Sequence, residues 1–372
     1  MPVRMLVTAV FLLSGFSASA HEDPIDDAAA AYARGDYTAA FHGFKPLADQ
    51  GNAIAQVGLG LMYAYGKGAP HDHTAAAGWF RKAADQGDAN AQYSLGNMYR
   101  IGEGLPRDLS EAVRWYRMAA DQGYADAQFS LGLRYHNGEG VAQDYAAAAR
   151  WYRKAADQGD VDAQYYLGVK YDSGQGVARD YAAAARWYRK AADQGDAKAQ
   201  YNLGGMYAYG QGVPQDYATA VGWFRKAADQ GDAFAQFSLG VMYRNSQGVA
   251  PDYVEAHKWF NLAAAQGSKA AGKNRDSIAM QMTSTQIAEA QRLKRVWRPK
   301  QRQTTLPLGS SKSGRTTLIQ QRLVNLGYDP GSVDGILGPK TRAAIRSFQA
   351  REGLTVTGAI TERLEAAIQA AN

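Results

Sequence analysis

Residues that could do covalent or metal chemistry are few in this chain. Its 372 residues include six histidines and no cysteine, which excludes cysteine nucleophiles, thiolate zinc sites, iron–sulfur clusters and disulfide frameworks. The histidines lack the spacing of a zinc peptidase. His71 and His73 form one His-x-His pair, with no evident third ligand. We therefore predict no catalytic residue, no metal site and no cofactor.

The elements that must position any site follow a strict period of 36 residues. Tryptophan marks the period at Trp79, Trp115, Trp151, Trp187, Trp223 and Trp259. Residues 52–267 therefore hold six units, and residues 26–51 look like a partial N-terminal unit. A fixed period of this length, with helical spacing inside each unit, predicts an all-α fold: an α-solenoid of helix-turn-helix repeats.

Local signals place two helices in each unit. Ala127, Leu131 and Tyr135 lie four residues apart, which predicts the first helix of the third unit. A glycine pair ends that helix, and Asp144 is placed to cap the second. The aspartate recurs as Asp72, Asp108, Asp144, Asp180, Asp216 and Asp252. Glycines inside the first helices predict close helix approach, with an aromatic ring filling the space.

The third and fourth units carry the strings Ala-Gln-Tyr-Tyr-Leu-Gly and Trp-Tyr-Arg-Lys-Ala-Ala-Asp-Gln-Gly. Together they resemble the Sel1-like repeat, a relative of the tetratricopeptide repeat. The resemblance implies an adaptor or scaffold with an extended surface for proteins. Some cysteine-rich secreted members are associated with β-lactam hydrolysis or penicillin binding, but this chain lacks their disulfides. In the sixth unit, Ser246 replaces the loop glycine, so we expect a different turn there.

Positions that vary between units are the candidates for a partner-binding surface. They fall in two registers of the first helix, and either partner recognition or drift on a solvated face explains their variation. The repeated Arg-Lys pair near the end of each second helix is expected to be solvated. The candidate partner-binding residues are Asn90, Arg100, Asp126, His136, Asp162, Asp172, Lys198, Phe234 and Arg244.

After Gly267 the period stops. Residues 268–298 are predicted to be capping helices, and Thr283 with Gln286 forms a capping box. Residues 299–315 read as a basic, flexible linker. From Arg292 to Arg315 there are eight basic residues and no acidic ones. An anionic envelope polymer or lipid surface suits this run, whereas a solvated linker needs no ligand. We predict no nucleic-acid partner.

Residues 316–371 form a small module of three predicted helices. Its string Gln320-x-x-Leu323-x-x-Leu326-Gly327-Tyr328, followed by Val333-Asp334-Gly335 and Ile345-x-x-Phe348-Gln349, resembles the peptidoglycan-binding type 1 domain. The resemblance implies a three-helix fold that holds peptidoglycan non-covalently. Candidate contact residues are Tyr328, Asp334, Thr341, Arg342, Arg346 and Gln349.

Residues 1–20 read as a signal peptide, with Arg4, an apolar run and Ala18-Ser19-Ala20. We expect a periplasmic or secreted, wall-associated chain without a transmembrane span after cleavage. Residues 21–268 hold 23 basic and 28 acidic side chains, a net −5, whereas residues 269–372 hold 17 and 7, a net +10. The predicted function is a non-enzymatic adaptor between peptidoglycan and an unidentified envelope protein. Alternatives are a peptidoglycan-modifying or β-lactam-acting enzyme and a regulator of a wall hydrolase.

Overall fold

The computed structural model describes residues 24–300, together with 319–320, 322–324, 326–329, 339–352, 364 and 367–368 of the C-terminal module. The predicted signal peptide and Asp334 lie outside these residues. The chain divides into two compact units, one of residues 1–143 with 306–372 and one of residues 144–305. In the described part of the chain, no helix is long and apolar enough to cross a membrane.

The regular structure of the described residues is entirely helical, which confirms the predicted all-α fold. Each repeat holds a first helix, here called A, and a second helix, B. The helices are α1 Pro24–Arg34, α2 Tyr37–Asp49, α3 Ala53–Tyr65, α4 His73–Asp85, α5 Ala89–Ile101, α6 Leu109–Asp121, α7 Ala125–Asn137, α8 Tyr145–Asp157, α9 Val161–Ser173, α10 Tyr181–Asp193, α11 Ala197–Tyr209, α12 Tyr217–Asp229, α13 Ala233–Asn245, α14 Tyr253–Ala265, α15 Lys269–Ala279, α16 Ser284–Val296 and α17 Pro339–Arg351.

The helices begin and end where the sequence predicts. All six recurrent aspartates cap a B helix; Asp72 Oδ1, for example, accepts the backbone N–H groups of Thr74 and Ala75. Glycines in the left-handed region close the A helices, such as Gly66 at φ 62°. Ser246 adopts the same conformation, with φ 58° and ψ 33°. The expectation of a different turn there is wrong, because the serine accepts the strain that glycine avoids.

Interior glycines of the A helices lie directly under aromatic rings of the B helices. A Cβ atom on Gly96 would lie 2.6 Å from the Tyr116 ring, and one on Gly240 would lie 2.7 Å from the Phe260 ring. The predicted close approach is confirmed at these positions. The ring belongs to the residue after the periodic tryptophan. At these positions the A helix accepts the lower helix propensity of glycine, which allows the closer packing of the ring.

A buried glutamine links neighbouring helices in repeat after repeat. Gln200 Nε2 donates to the backbone carbonyl of Ala192, at the end of the preceding B helix (3.0 Å). Its Oε1 accepts from Gln230 Nε2, at the end of its own B helix (2.8 Å). The amide thus satisfies both polar atoms in an otherwise apolar core, which favours one stacking register.

The last two helices of the second unit pack on α14. α16 begins with the predicted capping box, in which Thr283 and Gln286 satisfy each other's backbone N–H groups. Beyond α16 the chain turns back, and Lys300 donates its backbone N–H to the carbonyl of Asp229 (2.7 Å). Pro299 and Lys300, which the sequence places in the linker, thus lie against the fifth repeat.

Described residues of the C-terminal module form a small apolar core. Its members are Ile319, Leu323, Ala344, Ile345, Phe348, Leu364 and Ile368. α17 begins at Pro339, where a proline costs no hydrogen bond. Gly327, at φ 82°, provides the turn before Tyr328.

Candidate functional site

The A helices of repeats five and six carry the most exposed aromatic side chains of the described residues. Phe234, at the second position of α13, is 70% exposed, and Tyr209, at the end of α11, is 78% exposed. The Phe234 ring lies 5.8 Å from that of Tyr201, which in turn lies 5.8 Å from Phe224 in the core. Phe234 is therefore the outer member of a chain of rings that is anchored inside the repeat.

The charges around this surface come from the turns that precede the A helices. Asp232 caps α13 by accepting the backbone N–H of Ala235 (2.8 Å). Burial raises the pKa of Asp232, and the nearby charge of Asp196 raises it further, whereas backbone hydrogen bonds lower it. Burial, and then the charge of Asp232, raises the pKa of the Tyr201 hydroxyl. The surface offers an apolar ring beside carboxylates, an arrangement that can receive a protein side chain.

Other candidate partner-binding residues keep part of the exposure that the sequence predicts. Asp162 and Lys198 are exposed, and the Lys198 Nζ lies 5.9 Å from the centre of the Tyr165 ring. Asp126 and His136 are half-buried. Their partner-binding role stays a prediction.

Asn90 does not fit the exposed surface, because the structure leaves it only 6% exposed. Arg100 and Asp172 serve an internal purpose: Arg100 Nε donates to the Tyr116 hydroxyl, and the Tyr188 hydroxyl donates to Asp172 Oδ2, both at 3.3 Å. Arg244 donates to Asn274 in α15, the first helix of the cap. The residues at the position of Arg100, Asp172 and Arg244 therefore vary largely because they bond to a tyrosine hydroxyl or to the cap.

The repeated Arg-Lys pair lies largely at the surface, as the sequence predicts, but its side chains also make specific contacts. Arg81 donates to the hydroxyl of Tyr99 in the next repeat, and Arg189 does the same to Tyr207. The following lysine lies over the tryptophan of its own helix; Lys82 Nζ is 4.0 Å from the centre of the Trp79 ring. The recurrence of the Arg-Lys pair indicates that it has a role, but the sequence pattern does not reveal that the acceptor is a tyrosine hydroxyl on a helix of the next repeat.

Catalytic and metal chemistry has little to build on in the described residues. The rings of His71 and His73 lie 4.5 Å apart. Among the residues the structure describes, no group of three or more histidine, aspartate or glutamate side chains could hold a metal ion. The second glycine of each turn packs against the backbone of the preceding unit: a Cβ atom on Gly140, for example, would overlap the Leu109 carbonyl oxygen. These loops are structural.

In the C-terminal module, the structure separates the candidate contact residues. Thr341 and Gln349 are both 2% exposed, and Thr341 Oγ1 accepts from Gln320 Nε2 (3.0 Å). Both side chains therefore lie inside the module, and their role in peptidoglycan contact stays a prediction. Arg342 and Arg346 are exposed on one side of α17, and Arg351 covers the Tyr328 ring at 5.3 Å. Tyr328, Arg342 and Arg346 stay predictions.

Comparison with known proteins agrees with this architecture. The Sel1 repeat model matches residues 53–88, 89–124, 125–160, 161–196, 197–232 and 233–268. A second family model, described as "Putative peptidoglycan binding domain", matches residues 312–368. A curated relative, the "Putative OxPP cycle protein OpcA" of Synechocystis sp., is 43% identical over 53 residues, 14% of this chain. The chain spans only 11% of that relative's length.

Solved structures carry the same fold. That of c5321, a protective antigen present in uropathogenic Escherichia coli strains displaying an SLR fold, is 27% identical with a TM-score of 0.66; the match covers 93% of this chain and 90% of that one. A Sel1 repeat protein from Oxalobacter formigenes is 33% identical with a TM-score of 0.57, over 65% of this chain and 97% of that one. The chain therefore belongs to the Sel1 repeat family, with six repeats followed by a peptidoglycan-binding domain.

Proposed function

We propose that this protein is an exported, non-enzymatic adaptor that holds peptidoglycan through its C-terminal domain and a protein partner through its repeats. The observation that carries the proposal is the union, in one chain, of a peptidoglycan-binding domain and six Sel1 repeats. Repeat arrays of this kind present extended surfaces that bind proteins. The signal-peptide pattern of residues 1–20 supports export.

The wall-binding contacts are assigned to the exposed side of α17. Arg342 and Arg346 lie one helical turn apart and are both exposed. Guanidinium groups in this arrangement suit the carboxylates of a peptidoglycan stem peptide. Tyr328, which follows the turn at Gly327, and Asp334 complete the proposed contact set.

The protein-binding contacts are assigned to repeats five and six. Exposed aromatic side chains that are fixed by neighbouring rings make large contacts at low entropic cost, which is the usual character of an interface hot spot. Phe234 fits this description, and Tyr209 adds a second exposed aromatic side chain on the A helix of repeat five. Asp162 and Lys198, in the same compact unit, would then contribute specificity. Asp126 and His136, in the first unit, stay separate partner-binding predictions.

Co-sedimentation with isolated sacculi tests the wall-binding half of the proposal. The full chain is expected in the pellet, and a chain of residues 1–315, which keeps the repeats and cap, is expected in the supernatant. Equal retention of both chains would contradict the assignment of wall binding to the C-terminal domain. Zymography on peptidoglycan tests the non-enzymatic half, since clearing by the purified protein would establish a wall-modifying enzyme instead.

Crosslinking in cells tests the partner-binding half. Photo-crosslinkers at positions 234 and 209 are expected to capture one envelope protein, and a crosslinker at the exposed position 150 of a B helix is expected not to capture it. Mass spectrometry then names the partner. Capture of the same protein from position 150 would contradict a surface centred on Phe234.

A further inference from the structure

The cap of the repeat array carries a positive charge that its own carboxylates do not balance. Residues 269–300 contain eight basic and two acidic side chains. The two acidic residues each pair with an arginine, Asp276 with Arg275 and Glu289 with Arg292, and Lys300 pairs with Asp229. The remaining cations have no carboxylate partner among the described residues: Lys269, Lys273, Lys294, Arg295 and Arg298.

The ends of the cap helices that carry these cations lie at the edge of the second unit where B helices end. Trp297 and Pro299 pack within 4 Å of the Cβ position of Gly231, which lies in the turn after the B helix of repeat five. Lys269 follows the equivalent turn of repeat six, at Gly267. We call the five unpaired residues the cationic edge.

An exposed apolar side chain lies among these basic residues in the sequence. Val296, the last residue of α16, is 60% exposed, and exposed Arg295 and Arg298 flank it in the sequence. The neighbouring Trp297 is turned inward against Trp259, with ring centres 6.4 Å apart. Trp297 thus fixes the end of α16, so that Val296 and the guanidinium groups beside it remain outside the core.

A basic surface that includes an exposed apolar side chain suits an anionic lipid bilayer better than a hydrated polymer. Both ligands attract lysine and arginine, but only the bilayer offers an acyl boundary to valine. Each basic side chain near an anionic membrane strengthens binding by about fivefold. Such binding is peripheral and salt-sensitive, because it depends on screened charges.

We propose that the cationic edge binds the surface of an anionic lipid bilayer, with Lys294, Arg295 and Arg298 at the headgroup phosphates and Val296 at the acyl boundary. This inference rests on the proposed function, since export places the chain beside a membrane. The repeats would then be held at the membrane while the C-terminal domain holds the wall.

Vesicle sedimentation of the full chain tests the proposal. The probes are vesicles of phosphatidylglycerol mixed with phosphatidylcholine and vesicles of phosphatidylcholine alone. We expect binding to the anionic vesicles, a loss of binding in high salt and none to the neutral vesicles. Lys294→Gln/Arg295→Gln is expected to lower the partition coefficient roughly 20-fold. Arg298 is left in place because its guanidinium donates to the carbonyls of Arg295 and Trp297 (2.8 Å) and closes α16.

The matched control is Arg150→Gln/Arg186→Gln, which removes the same charge from exposed positions of two B helices. It is expected to bind as the unaltered chain does. Val296→Ser is expected to weaken vesicle binding several-fold and to leave its salt dependence unchanged, because it removes only the apolar contact.

Equal binding to neutral vesicles, or an equal loss in the control, would overturn the proposal. Binding of soluble polyglutamate that resists competition by anionic vesicles and is indifferent to Val296→Ser would identify a charged polymer as the ligand instead. Sacculus co-sedimentation is measured in parallel. If it persists while vesicle binding fails, the membrane contact is wrong and the wall-binding function stands.

Discussion

The side-chain amide of Gln86 donates a hydrogen bond to the side-chain carbonyl of Gln56 (2.8 Å), and Gln56 in turn donates to the backbone carbonyl of Ala48 (3.1 Å). One buried amide thereby joins α2, α3 and α4. The same bridge recurs through the glutamine pairs Gln92 and Gln122, Gln164 and Gln194, Gln200 and Gln230, and Gln236 and Gln266. These amides connect successive repeats by directional bonds as well as by apolar packing.

We predict that Gln200→Ala lowers the free energy of unfolding by about 2–3 kcal/mol, because it leaves two buried polar groups without a partner. Those groups are the carbonyl of Ala192 and the amide of Gln230. Urea denaturation followed by circular dichroism measures the change. Gln211→Ala, in an exposed turn of the same repeat, is expected to change stability by less than about 0.5 kcal/mol. Equal losses in the two variants would contradict a special role for the bridge.

Much of the fold could be predicted from the sequence because the period, the capping aspartates and the interior glycines each have a local physical meaning. The recurrence of glutamine at positions 56, 92, 128, 164, 200 and 236 marks a required residue. It does not identify the acceptor, which is the backbone carbonyl of the residue eight positions earlier, at the end of the preceding helix. Contacts between helices are the part that a linear pattern leaves undetermined.

The candidate site was only partly predictable for the same reason. Mostly polar residues occupy the equivalent position in the other repeats, which predicts an exposed position, and Phe234 is exposed there. The position of Arg100 and Asp172 also varies between repeats, but its residue type follows the aromatic ring of the B helix that it contacts. Tyr116 and Tyr188 carry hydroxyls that bond to Arg100 and Asp172. In repeat five the ring is Phe224, which has no hydroxyl, and the equivalent position holds buried Ala208. Variation at an interior contact resembles variation at a surface until the partner is known.

We predict that two adjacent glycines of α11 respond oppositely to alanine. A Cβ atom on Gly204 would lie 2.8 Å from the Phe224 ring, whereas one on Gly205 would meet nothing within 4 Å. Gly204→Ala is expected to lower the free energy of unfolding by about 1–3 kcal/mol through overpacking. Gly205→Ala is expected to raise it by about 1 kcal/mol through helix propensity. Thermal unfolding of both variants measures this, and a change of the same sign in both would contradict the packing account.

Lys170 occupies a core position that holds methionine in four other repeats, Met62, Met98, Met206 and Met242. The lysine is fully buried, and its ammonium group donates to Gln175 Oε1 (3.1 Å). Desolvation lowers the pKa of Lys170 from 10.5 to about 8. At neutral pH the native state therefore carries a charge in a site that disfavours it. We predict that Lys170→Met raises the free energy of unfolding by about 1 kcal/mol at pH 7.

The gain from Lys170→Met must depend on pH with a definite sign. Below pH 8 the amine is protonated in both native and unfolded chains, so the penalty of burying the charge is complete. Between pH 8 and 10.5 the native amine loses its proton first, and the penalty falls. The advantage of methionine is therefore expected to shrink across this interval. Lys198→Met, at an exposed position, provides the control. An advantage that is constant with pH would assign the effect to side-chain shape instead.

Wall binding should depend on the exposed guanidinium groups of α17. Arg342→Gln/Arg346→Gln is expected to lower the fraction of the full chain that co-sediments with sacculi by roughly tenfold, since bonds between charged groups contribute more than neutral ones. The helix itself should persist, because Ile345 and Phe348, on its other side, remain in the core. Arg150→Gln/Arg186→Gln removes the same charge from the repeats and should leave sedimentation unchanged. If both double variants lose binding equally, net charge rather than the α17 surface holds the wall.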